Sequence, residues 1–350
     1  MLRDKTIVAA VIGLVGAVIA AVVGAAAVSW FEPDSPRKSD IPPLTATAPT
    51  VPASPAITLI DVGDYPVGVA ISPGGRRAYI TNTNADTVSV IDTGSKMRST
   101  EDIPVGDYPV GVAISPDGRR VYIANAHAGT VSVIDTDRNI VAYTIPVGRT
   151  PFDVAFTPDG RRAYVVNAED DTVSVIDTET NIAAAPIPVG DNPNYVAFTP
   201  DGRRAYIANS NSNTVSVVDI GGNIVVDTIR VGAFPFGIAV TPDGRRAYVV
   251  NRKAGTVSVI DTGDNTVGAS ISVGKTPLRA VVSPLDGRSV YVTNRDAGTV
   301  SVIDTGSNKV AATINVGDTP YGVAVSPDGR HVYITNSGSD IVSVIDVGAG

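Results

Sequence analysis

Cysteine is absent from this 350-residue chain, and histidine occurs only at His127 and His331. The first absence excludes disulfides, thiolate metal sites and thiol catalysis, and with them a lipid anchor on a lipobox cysteine. The second excludes a three-histidine zinc site. Aromatic residues make up only 5% of the chain, so a core must be built from small and β-branched side chains. Positive charge is outweighed, with a formal net charge of −8, and this argues against nucleic acid as a partner. No G-x-S-x-G nucleophile motif occurs. Residues 274–276 (GKT) end like a phosphate loop, but Ala269 stands where the upstream glycine is required and the segment joins two strands.

Charge is also missing from one long stretch. Residues 6–30 carry no ionisable side chain and are nearly all Ala, Val, Ile, Leu or Gly. About 20 such residues suffice to span a bilayer as a helix. Arg3 and Lys5 precede the run, which places the N-terminus in the cytoplasm, and Trp30 and Phe31 mark the far interface. Residues 1–31 therefore read as an N-terminal transmembrane anchor. The competing reading is a secretory signal cleaved near the Ala25-x-Ala27 pattern. Either way the remainder leaves the cytoplasm, as a single-pass membrane protein or a secreted one. Residues 32–56 are proline-rich and read as a semi-rigid spacer.

From residue 57 onward the chain is repetitive. A Val-Gly dipeptide places its glycine at 63, 106, 148, 190, 232, 274 and 317, a period of 42 or 43 residues. A Tyr-x-x-Asn tetrapeptide ends in step at Asn82, Asn125, Asn167, Asn209, Asn251, Asn294 and Asn336, and each is succeeded by a VSVID-type pentapeptide. The second repeat shows four strand signals: 111–115, 119–125, 130–135 and 139–148, with a Pro-Asp-Gly turn after the first. Four antiparallel strands per 42 residues is a propeller blade. The fold expected for 57–350 is all-β, a seven-bladed β-propeller with four-stranded blades. The seventh repeat lacks its fourth strand, and 57–63 (ITLIDVG) resembles the missing piece. An N-terminal strand is thus expected to close the last blade and remove the open edge.

These repeated motifs, V-G-x-x-P-x-G-V-A-x-S-P-D-G-R-R-x-Y-V-x-N and T-V-S-V-I-D-T, resemble the YVTN β-propeller repeat family over residues 57–350. The resemblance implies a seven-bladed propeller of surface-layer type outside the cytoplasm, with no implied reaction. More distant propellers of similar shape include lactonases, lyases and quinoprotein dehydrogenases, but no motif here carries those activities over.

Residues common to every blade read as structural: turn caps, ladder-end hydrogen bonds and ion pairs. Departures from the repeat are the informative positions, and they concentrate in the loops of one face. The second residue after the loop proline is Gly68, Gly111, Gly237 and Gly322 in four blades but Asp153, Tyr195 and Arg279 in the others. These three side chains are expected to converge on a small polar ligand at the channel mouth, walled by Phe152, Phe236 and Tyr321. The bland alternative is loop drift. Asp153, Glu169, Asp170 and Asp171 form an acidic group suited to a Ca²⁺ ion, or simply a solvated loop. Arg252, Lys253, Lys275 and Arg295 form a basic group suited to an anion.

The reading is a non-enzymatic binding module, displayed on the outer side of the cell membrane by its N-terminal helix, for a protein, glycan or small ligand. It needs no cofactor, with Ca²⁺ the one metal considered. One alternative is a metal-dependent lactonase- or lyase-like enzyme with Asp153, Asn194 and Glu169 around a metal. Another is a structural cell-envelope protein that self-associates.

Overall fold

Turn chemistry lays down each blade. In blade 2 the strands are Pro109–Ile114, Arg120–Asn125, Thr130–Asp135 and Ile140–Pro146, all antiparallel to their neighbours. The first turn needs a left-handed residue, and Gly118 supplies it at φ 73°. Asp117 locks that turn by accepting from the Ser115 hydroxyl and the Arg119 N–H, the latter at 3.0 Å. Asp135 caps the turn between the third and fourth strands, and Asn139 takes its left-handed position at φ 53°.

A computed structural model of the chain describes residues 55–348, and those residues form seven sheets with four-stranded blades. The proposed membrane segment and most of the spacer lie outside the described residues. Among the described residues no helix is long and apolar enough to cross a membrane. In blades 1 and 3 the fourth strand is broken into two short pieces, Met97–Arg98 with Ile103–Pro104 and Ile182–Ala183 with Ile187–Pro188. Pro186 removes a ladder donor in blade 3, and in blade 1 the break coincides with the longer insert after Gly94.

The repeated Asn and the Val-Gly glycine are one device. Asn125 donates to the hydroxyls of Thr130 and Ser132 at 3.1 and 2.9 Å. A Cβ on Gly106 would lie 2.7 Å from the Asn125 side chain, so only glycine lets the loop pass.

The core lies between blades. One layer packs Tyr122, Ala124, Val131, Val133 and Ile145 of blade 2 against Val154, Ala163, Val165 and Ile176 of blade 3. Each such large side chain, fully buried, contributes about 1.5–3 kcal/mol. Polar stitches accompany the layers. The Tyr122 hydroxyl donates to Asn181 Oδ1 at 3.1 Å in the next blade, and Arg120 donates to the Thr178 carbonyl. Arg162 and Arg204 make the same bond to Ile220 and Thr262, at 2.9 and 2.8 Å. The second arginine of each pair is therefore a seam between blades and not a polyanion face.

The ring closes as the sequence implies. Ile57–Asp61 pairs antiparallel with Ile341–Asp346, from Ile57 opposite Ile345 to Asp61 opposite Ile341. Thr335 and Ser337 of blade 7 donate to the carbonyls of Val67 and Pro66 in blade 1, at 2.9 and 2.7 Å.

Candidate functional site

Seven connections lead from an outer strand to the next inner strand, and each holds a left-handed non-glycine residue before its proline. These are Tyr65, Tyr108, Thr150, Asn192, Phe234, Thr276 and Thr319, with φ between 51° and 59°. For threonine and bulky rings this conformation is strained, and surrounding bonds must hold it. Carboxylates and amides of the neighbouring loop do so. The N–H groups of Tyr65, Tyr108, Asn192 and Phe234 donate to Asp340, Asp86, Asp171 and Asn213 at 2.7–2.9 Å.

After the proline each inner strand opens with a register shift, as between Pro151 and Asp153 or between Pro277 and Ala280. The residues directly after the prolines then meet one another inside the ring. Val67 and Val110 pack with Phe152 and Tyr321, and Phe236 and Leu278 pack with the same two rings. Phe152 of blade 3 lies 5.5 Å, centroid to centroid, from Phe236 of blade 5, which lies 6.2 Å from Tyr321 of blade 7. The three aromatics expected to wall an open mouth instead fill it as a plug.

One residue deeper sit the three departures from glycine. The glycine column is a packing requirement: a Cβ on Gly68 would lie 2.4 Å from the Val110 carbonyl oxygen, and one on Gly111 would lie 2.7 Å from Asp153 Cα. Blades 3, 4 and 6 carry side chains there, and all three are buried. The Arg279 guanidinium stacks over Tyr195 at 4.4 Å and lies 5.8 Å from the Tyr321 ring. Its Nε and Nη2 have no hydrogen-bond partner, nor has the Tyr195 hydroxyl. Asp153 accepts a 3.4 Å bond from the Val196 N–H of the next blade. Burial pushes its pKa up to about 6, against the lowering pull of Arg279. Burial likewise pulls Arg279 down and pushes the Tyr321 hydroxyl up to about 12, so that hydroxyl stays a donor. The structure thus brings Phe152, Asp153, Tyr195, Phe236, Arg279 and Tyr321 into one buried polar–aromatic cluster.

The acidic group does not form a metal cage. Asp153 is buried within the ring. Asp170 is taken by Arg149, whose Nε and backbone N–H donate at 2.6 and 2.7 Å. Asp171 caps Asn192, and Glu169 is exposed. Asn194 spends its amide on the Asn192 carbonyl and Ser210. Among the described residues no group of three His, Cys, Asp or Glu side chains is placed to hold a metal ion. The donor set therefore does not fit the Ca²⁺ site, nor the metal of the lactonase-like alternative.

The basic group is only partly gathered. Arg252 lies 5.8 Å from the rings of both Phe234 and Phe236, and Lys253 lies 4.6 Å from Phe234. Lys275 is exposed, and Arg295 is half-buried in a 3-10 turn, Arg295–Ala297. His127, from a loop of this face, stacks on Tyr108 at 4.1 Å. The opposite face, read as constant and structural, carries clefts between blades. One of about 530 Å³ is lined by Asp117, Arg119, Arg120, Phe156 and Asp159. Similar clefts recur at other seams, for example between Arg203 and Asp243.

Set against known proteins, residues 54–344 match the family described as the virginiamycin B lyase family. Among curated proteins none matches the chain. Of solved structures, a chain of Kuenenia stuttgartiensis hydrazine synthase is similar at a TM-score of 0.75 and 24% identity, over 82% of this chain and 96% of that one. That likeness is one of fold.

Proposed function

This chain belongs to the virginiamycin B lyase family, and from that premise we propose that its propeller takes a small ligand at the plugged mouth of the central channel, as a binding module. The observation that carries this reading is the buried cluster itself. Three blades abandon the glycine that the other four use, and two of them, through Tyr195 and Arg279, place polar groups there whose hydrogen bonds are unmade. Such groups are costly to leave unpaired, and a ligand that meets them recovers that cost. The apolar run at 6–30 supports display outside the cytoplasm, held at the membrane by that run. A protein or glycan of the cell envelope is the alternative occupant of the variable face.

A thermal-shift screen of the full-length chain tests the reading. Lactones, sugars, nucleotides and divalent cations are compared on wild type and on the triple variant Asp153→Gly, Tyr195→Gly, Arg279→Gly. Glycine is native at this position in four blades, so its backbone conformation is compatible with the substitution, and the unliganded Tm of the variant serves as the baseline for its own shifts. The expected result is a ligand that raises the Tm of wild type alone. A ligand that stabilises both alike binds elsewhere, and no stabilising ligand sinks the small-ligand reading.

A lyase reaction is the second reading, favoured by the family's name and by Asp153. A carboxylate held near pKa 6 is suited to accept a proton at neutral pH. No metal enters this reading. Breakdown of virginiamycin B by wild type and not by Asp153→Asn supports it; an unchanged substrate removes it.

A further inference from the structure

The unpaired atoms of Arg279 define a shape. Nε and Nη2 lie on one edge of the guanidinium, and both lack partners, while the flat face of the group rests on Tyr195. Two parallel N–H donors on one edge match the two oxygens of a carboxylate. Arg279 is only 8% exposed, and among the described residues no carboxylate forms an ion pair with it. Arg279 lies against the rings of Tyr195 and Tyr321, and Phe152 and Phe236 belong to the same packed cluster, which supplies an apolar surround; the unpaired Tyr195 hydroxyl supplies one more donor in it.

Resting on the channel-mouth reading, we propose that the ligand is a small organic monocarboxylate, its carboxylate held side-on by Arg279 and its apolar body among the plug aromatics. The charge balance limits the class. Arg279 is the one buried positive charge of the cluster, and with Asp153 protonated it balances a single carboxylate, so a second negative charge on the ligand would be uncompensated. Phe152 and Tyr321 are the half-buried members of the plug, and the ligand enters past them.

The same geometry sets a pH dependence. The groups facing the site are Arg279 from blade 6, Asp153 from blade 3, Tyr195 from blade 4 and Tyr321 from blade 7, with Arg252 over the Phe236 ring and Tyr65 and Tyr108 packed beside Phe152 and Tyr321. Asp153, with its pKa at about 6, changes charge between pH 5 and 8. Below that pH it is neutral and no longer repels an incoming anion.

Isothermal titration of the full-length chain with 3-phenylpropionate, its neutral amide and inorganic phosphate decides the matter. The acid is expected to bind about tenfold or more tighter than the amide, as loss of a charge-assisted pair implies. Its affinity should rise from pH 7.5 to 5.5, and Asp153→Asn should give the higher affinity already at pH 7.5. Arg279→Met should abolish the preference for acid. Arg279→Lys, which keeps the charge but not the fork, should weaken acid binding and serves if the Met variant does not fold. Acid and amide binding equally would overturn the carboxylate assignment while leaving a ligand site at the mouth. Phosphate binding in preference to the acid would overturn it in favour of inorganic oxoanions. No binding by any of the three would overturn it too, and the separate screen then decides whether the mouth binds anything.

Discussion

Asp153 illustrates what one residue can reveal about a ring of near-identical blades. Its counterparts in four blades are glycines pressed against the next blade's backbone. Here a carboxylate enters the same space and bonds the Val196 N–H across the junction. Its pKa in the folded chain is about 6, raised above the ordinary 3.8 chiefly by burial. A raised acid pKa means that the folded state holds its proton more tightly than the unfolded chain does. The contribution to stability is therefore nil below pH 4 and becomes a penalty as pH rises to 6, after which it is constant. From the size of the shift the penalty is about 3 kcal/mol at neutral pH. Asp153→Asn retains an acceptor for Val196 and removes the titration. It should raise the Tm at pH 7.5 and leave it unchanged at pH 4; equal Tm values at both would show that Asp153 is not buried as a charge.

At the scale of the element, the unit of stability is the seam between adjacent sheets. Tyr122 is fully buried, and its hydroxyl meets Asn181 in the following blade. Tyr122→Phe should cost about 1 kcal/mol, the net value of such a bond. A double-mutant cycle with Asn181→Ala should return a coupling of similar size, and a coupling near zero would mean that the two do not interact in solution. Tyr122 and Asn181 stand 59 residues apart, which explains why the seam was not legible in the sequence. The strands and their turns were legible, because Asp-Gly and Asn sit at the left-handed turn positions in nearly every repeat. The candidate site was half legible. Asp153, Tyr195 and Arg279 stood out as breaks in a glycine column, but the reason for that column, a neighbouring carbonyl within 2.4 Å of a Cβ on Gly68, exists only in the closed ring. The acidic run at 169–171 misled for a related reason. Asp171 looked free, yet its partner is a backbone N–H 21 residues away, held by a strained loop.

At the scale of the whole molecule, stability depends on closure, since every sheet is sandwiched between two others and no junction is spare. The last junction is built differently, from chain ends. Ile60 and Val62 bury with Tyr333, Val342 and Val344 of blade 7 and with Ala78, Ile80 and Ile91 of blade 1. Removing residues 57–61 from the full-length chain takes away the ladder on Ile341–Asp346 and uncovers that layer. Loss of one large buried side chain and several ladder bonds sums to about 4 kcal/mol or more. It also leaves a row of unpaired strand groups open to other chains. The deletion should therefore lower the denaturant midpoint markedly and make sedimentation concentration-dependent. Because the plug joins Val67 and Val110 of blades 1 and 2 to Tyr321 of blade 7, a weakened last junction should also loosen the mouth. Ligand binding in the deletion should then fall together with stability. A deletion that unfolds at the same denaturant concentration as the parent would show that the ring is held by its blade-to-blade layers alone, and that the N-terminal strand is an accessory to them.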